Sequence, residues 1–305
     1  MGFMKHSFTL YKFLLKMAGA VMILIFLFAC KKETATNSTV TTPPPIVTPP
    51  PAASPYSLTA RPTTLTAHCK GFYEYLPEGY LTDAETTKYP LLIFFHGGSE
   101  TGGDSTSLGK LLIHGPLKQV KNGAFPTSFT VNNQTYKFVI IAPQFTSSGM
   151  SYPDEINTII EYAKQKYKVD ASRIYLTGLS FGAGLMWNYV GQNTGYAKKI
   201  AAMVPIASYI NETRGDFKVD SAKAQAISSS NLPIWSTHNS GDNICPLVWI
   251  TNAYTLLRNS NLAPDPSPRL TVFNVSGHGG WTQTYDPSFR ENNLNIYEWM
   301  LQYHR

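Results

Sequence analysis

The sequence predicts an α/β fold with a mostly parallel sheet covered by helices on both faces. Three observations predict it. Continuous apolar runs such as "YPLLIFFHGG" and "KFVIIAPQ" read as strands buried on both faces. Segments with helical spacing alternate with these runs, as crossover helices do. The runs also end in loops that gather glycines, histidines and a serine, and sheets of this class bind ligands beyond their carboxyl ends.

The chain has 305 residues and begins with a segment that does not belong to that domain. Lys5, Lys12 and Lys16 precede an apolar run from Ala18 to Ala29. Twelve apolar residues after a basic region are too short to span a bilayer and fit a secretory signal over residues 1–29. Leu27-Phe28-Ala29-Cys30 resembles a bacterial lipobox, in which the cysteine becomes the lipidated first residue. Diacylation at Cys30 would hold the exported protein to a membrane of the bacterial cell envelope, with an uncleaved anchor as the alternative. Residues 30–55, rich in Thr and Pro with almost no large apolar side chain, are expected to form an extended tether. Residues 56–305 then make one domain with no internal repeat.

Charge excludes one class of partner. Without the three N-terminal lysines, 22 basic and 19 acidic side chains leave a balance of +3. That gives no case for nucleic acid. Of three cysteines, Cys69 and Cys245 remain in the domain. An oxidising compartment would let them pair, yet two buried thiols fit equally well.

Within the domain, "GFYEYLP" alternates as an edge or hairpin strand would. The buried strand "YPLLIFFHGG" comes next. "SLGKLLIHGPLKQV" is helical but must break or kink at Gly115-Pro116. After the buried strand "KFVIIAPQ", "DEINTIIEYAKQKYKVD" sets Ile156, Ile159, Ile160 and Ala163 at helical spacing with acids at its start. "RIYLTG", "IAAMVPIA", "LPIWSTH" and "RLTVFNV" are further strands separated by helical patterns, and "LNIYEWMLQYH" closes the chain.

The chemistry begins at "RIYLTGLSFGAGLMWNY". A strand runs into Gly178-Leu179-Ser180-Phe181-Gly182, and a helix comes directly after. This is the pattern of a nucleophile elbow: the serine takes strained backbone angles at a sharp strand-to-helix turn, and glycines two residues away on each side avoid collision. The bland reading is a tight turn. In such elbows the acid and then the base follow the serine in sequence. Three histidines follow Ser180. His304 is penultimate in the chain, and His238 precedes the candidate acid, so His278 in "NVSGHGGW" is the expected base. Asp242, in "WSTHNSGDNICP" beyond the penultimate strand, is the expected acid, although Asn239-Ser240-Gly241 also suits a plain turn. His96-Gly97-Gly98 in "FFHGGSE" offers backbone for an oxyanion hole. The amide of Phe181 would be one donor and that of Gly98 the other, with Ser99 as substitute. His96 itself would hold the loop. Trp281, three residues past His278, is expected to border the substrate pocket, whereas Trp187 suits the core.

"HGGS", "GLSFGAG", "HNSGD" before "CP", and "GHGGWTQTY" followed by "IYEWML" resemble the α/β-hydrolase superfamily. More narrowly, they resemble secreted bacterial esterases grouped with polyhydroxybutyrate depolymerases, feruloyl and acetylxylan esterases and dienelactone-hydrolase-like proteins. The resemblance covers residues 70 to 303. It implies a Ser180-Asp242-His278 triad that hydrolyses carboxylic esters, without a metal or cofactor. The acetyl or feruloyl esters of polysaccharides are the expected substrates. Metal-ligand spacing, a phosphate loop and a dinucleotide fingerprint are absent from the sequence. Two rival readings share these residues. A prolyl-oligopeptidase-type peptidase uses the same triad but carries a propeller that this chain has no room for. A lipid-anchored carbohydrate-binding protein with a dead hydrolase fold would lack a triad member.

Overall fold

The computed structural model describes residues 55–260 and 262–305. The expected signal segment, the lipidation site Cys30 and the tether up to residue 54 lie outside them. No helix of the described residues is long and apolar enough to cross a membrane.

Ten strands form in chain order: β1 (Ser57–Arg61), β2 (Cys69–Leu76), β3 (Tyr89–Phe95), β4 (Phe129–Val131), β5 (Gln134–Tyr136), β6 (Val139–Phe145), β7 (Val169–Leu179), β8 (Ala202–Ile206), β9 (Trp235–Gly241) and β10 (Arg269–Ser276). The helices are α1 (Gly115–Lys121), α2 (Pro153–Lys166), α3 (Phe181–Gln192), α4 (Thr194–Ala197), α5 (Ser221–Ser228), α6 (Leu247–Arg258), α7 (Trp281–Tyr285) and α8 (Ile296–Leu301). Eight strands make the main sheet in the order β1-β2-β6-β3-β7-β8-β9-β10. From β6 to β10 every pairing is parallel, while β1-β2 and β2-β6 are antiparallel. The fold class read from the sequence is the one observed.

Strand periodicity explains the layers. Successive side chains of β3 leave opposite faces of the sheet. Leu91, Ile93 and Phe95 enter a core shared with α2, α3, α5 and α6, while Leu92 and Phe94 enter one shared with α1, α7 and α8. Both sets are fully buried, hence the unbroken apolar run. Helix α2 starts with Pro153 and carries Asp154 and Glu155 in its first turn, where the macrodipole favours acids. It buries Ile156, Ile159, Ile160 and Ala163, as the spacing predicts. Helix α3 is buried on nearly all sides, including Trp187, because it lies between the sheet and its neighbouring helices.

One local expectation is corrected and one element is added. "GFYEYLP" forms β2, the hairpin strand expected as one of two alternatives, pairing antiparallel with β1, which takes the sheet edge. Asn239-Ser240-Gly241 is not a turn but the end of β9, with Asn239 opposite Phe273 and Gly241 opposite Ser276 on β10. The hairpin β4-β5 was not foreseen. The strand ends matter most for the chemistry. β3, β6, β7, β8, β9 and β10 all point their carboxyl ends at one rim of the sheet, since they run parallel.

Candidate active site

Ser180 follows β7 directly and takes φ 53° and ψ −118°, outside ordinary helix and strand space. Such a backbone costs about 1–3 kcal/mol and persists only where surroundings enforce it. Here the Ser180 amide donates to the Ile206 carbonyl (2.9 Å), and its own carbonyl accepts from the amides of Gly184 (3.0 Å) and Tyr209 (3.1 Å). The flanking glycines are required by packing. A Cβ on Gly178 would sit 2.9 Å from the Phe95 carbonyl oxygen, and one on Gly182 would strike that oxygen and lie 2.6 Å from the His96 carbonyl oxygen. The turn therefore presses the start of α3 onto the end of β3.

His278 enters from the loop after β10, between Gly277 (φ +85°) and Gly280 (φ +93°), a backbone that side-chain-bearing residues rarely adopt. Its Nε2 lies 2.8 Å from Ser180 Oγ, and its Nδ1 lies 2.7 Å from Asp242 Oδ2. An ionised carboxylate only accepts, so Nδ1 carries the proton and the Nε2 lone pair faces the serine hydroxyl. The Asp242 side chain is fully buried. Its Oδ1 accepts from the amides of Ile244 (2.9 Å) and Cys245 (2.8 Å), which compensate a carboxylate taken out of water. Asn239 fixes the histidine loop: its Nδ2 donates to the Gly277 carbonyl (2.9 Å), and the Gly277 amide donates to the Gly241 carbonyl (2.9 Å).

The other histidines take different places. His96 is buried, donates from Nδ1 to the Gly97 carbonyl (2.7 Å) and accepts the Phe145 amide at Nε2 (3.0 Å). Burial lowers its pKa and keeps it neutral, so it ties the end of β3 to the end of β6. His238 lies buried beneath Asp242, donates from Nε2 to the Cys245 carbonyl (2.7 Å), and is likewise held neutral by burial. His304 is exposed.

Gly98 and Phe181 line one cleft of about 360 Å³ together with Ser180. Phe181 is the first residue of α3, so its amide has no intrahelical acceptor and sits at the positive end of the helix dipole. Ser99 does not line the cleft, and its hydroxyl donates to Glu100 Oε1 (2.7 Å). The Trp281 ring packs edge-on against His278 (5.2 Å between centroids) and against His114 (5.6 Å), and so buttresses the imidazole. The sequence reading missed Ser148, Gly149, Tyr209, Arg214 and Ile244, which complete the cleft. They sit in loops past β6, β8 and β9, where the strand-end rule would have directed attention. Cys69 and Cys245 are both buried and unpaired, and burial pushes each thiol up to about 12. Among the described residues no group of three His, Cys, Asp or Glu side chains is placed to hold a metal ion.

No protein-family model and no curated protein matches the chain. Solved structures do. A thermostable esterase aligns with a TM-score of 0.52 at 18% identity over 82% of this chain, which spans only 64% of that esterase's length. A ferulic acid esterase aligns at 0.55, with 15% identity over 80% of this chain and 98% of its own. An alpha/beta hydrolase enzyme from a Medee basin deep-sea metagenome library aligns at 0.51, with 12% identity over 81% and 94%. At these identities the similarity speaks for architecture: the chain has the α/β-hydrolase fold.

Proposed function

We propose that the protein is a serine hydrolase of carboxylic esters. The observation that carries the reading is the hydrogen-bonded series Ser180–His278–Asp242, which opens on a cleft beside the Gly98 and Phe181 backbone. In this reading His278 Nε2 takes the Ser180 proton as Oγ attacks the ester carbonyl carbon. Asp242 stabilises the imidazolium that forms. The amides of Phe181 and Gly98 donate to the oxyanion, where charge develops only in the transition state. His278 then protonates the leaving alcohol, and water attacks the acyl-enzyme by the reverse route.

Two finer parts of the proposal have different support. Acetyl or feruloyl esters of polysaccharides are suggested as substrates by analogy with the structural neighbour named a ferulic acid esterase. Attachment to the bacterial cell envelope through a lipid on Cys30 is supported by the basic, apolar and cysteine order of residues 1–30. The test is hydrolysis of nitrophenyl acetate, methyl ferulate, acetylated xylan and a dipeptide anilide. Ester turnover without anilide cleavage is expected, with Ser180→Ala lowering kcat by about 10⁴-fold or more. An enzyme that cleaves only the anilide, or a Ser180→Ala protein as active as the wild type, would contradict the proposal.

A further inference from the structure

One full charge lines the ester cleft. Arg214, in the loop between β8 and α5, is the only charged residue among the described residues that form the walls around Ser180. Two contacts hold its guanidinium. Nη2 donates to the Gly149 carbonyl (2.6 Å), and the group lies 5.6 Å from the centre of the Phe217 ring. Phe217 in turn packs on Phe181 (5.9 Å) and Tyr209 (5.3 Å), both of them cleft residues. The arginine is therefore seated on the same aromatic group that backs the residue after Ser180.

No ion pair among the described residues includes Arg214. Of the nearest acids in sequence, Glu212 accepts from Asn252 Nδ2 and faces a neighbouring hollow beside Trp249, and the Asp216 carboxylate forms no ion pair with Arg214. A guanidinium has five N–H donors in a planar fork. One hydrogen bond and one ring face fix its position and leave other donors unmatched. Arg214 is exposed to solvent, and one backbone hydrogen bond and one ring face restrict where its fork sits before an anion arrives. A loop staple alone would need only one of those donors.

We infer that this cleft takes esters carrying a carboxylate on their acyl or alcohol part, with Arg214 as the group that binds it. The inference rests on the ester-hydrolase reading and narrows its substrate class. Two matched pairs test it by acid release: monomethyl glutarate against methyl pentanoate, and 4-acetoxybutanoate against butyl acetate. Wild-type protein should prefer the anionic member of at least one pair in kcat/KM. Arg214→Gln should lower that preference about tenfold, mainly through KM, and Arg214→Lys should restore part of it. A wild-type preference near unity in both pairs, or one that survives in Arg214→Gln, would overturn the inference. Binding to Ser180→Ala, read by saturation-transfer NMR with the two anionic esters, separates this outcome from failure of the hydrolase reading. Signals that vanish in Ser180→Ala/Arg214→Gln support the anion site even if no ester is turned over. Signals absent from both proteins, or equal in both, reject it.

Discussion

Asp242 is the side chain on which orientation of the site depends. It accepts two backbone amides on one oxygen and the His278 Nδ1–H on the other, with no exposure to solvent. Asp242→Asn keeps an acceptor for the two amides but turns an NH₂ toward His278. The imidazole must then accept at Nδ1 and carry its proton on Nε2, so it no longer offers Ser180 a lone pair. The expected result is a kcat lower by about 10⁴-fold with little change in thermal midpoint. Steady-state kinetics and circular dichroism on one preparation check both parts. At this scale the sequence was most informative for Ser180, Asp242 and His278, which were selected by their order together with their places after expected strands. It was least informative for Asn239, which reads as a turn residue. Its partner, the Gly277 carbonyl, is 38 positions away, and no local pattern encodes that distance.

At the scale of elements, the junction of β7, α3 and β3 sets the cleft. Gly182 lets α3 begin in contact with the backbone of Phe95 and His96, and Gly184 lets the next turn approach the Tyr209 carbonyl. The obstacles are main-chain atoms, which cannot rotate away. Gly182→Ala should therefore cost about 1–3 kcal/mol in urea denaturation, as overpacking does. It should also lower kcat, because the helix start carries the Phe181 amide away from Gly98. Unchanged stability and activity would mean that the close approach is not needed. Elements with strong periodicity were legible, and α2 and β3 formed where expected. Hairpin β4-β5 was missed although "FTVNNQTY" signals it, for Asn132 and Asn133 both take positive φ (51° and 62°) in a two-residue turn. Strand β1 is five residues long and follows a Pro-rich stretch, so its pairing with β2 comes from tertiary contact.

For the whole molecule, the order of strands was not legible. Nothing in the local pattern says that β6 inserts between β2 and β3; that depends on which faces the helices cover. Burial across the sheet has a consequence for pH. His96, His114 and His238 all have pKa values lowered from the usual 6.5, chiefly because burial disfavours the charged ring. Below about pH 6.5 the unfolded chain binds protons that the folded chain resists, so stability is fully present above that pH and is lost on acidification. The carboxylates with lowered pKa, such as Glu155 and Glu161, act in the same direction only below their usual 4.5. The urea midpoint should thus fall between pH 7 and pH 5, and His238→Gln should flatten part of that slope. A midpoint constant over this range would contradict the burial of these rings.

The central claim is that Ser180 is an activated nucleophile open to the cleft. Treatment of the folded protein with a fluorophosphonate, followed by peptide mapping in a mass spectrometer, tests it most directly. A single adduct on Ser180, abolished by prior unfolding and greatly slowed in His278→Ala, is the predicted result. An unmodified Ser180, or an adduct on another residue, would contradict the account.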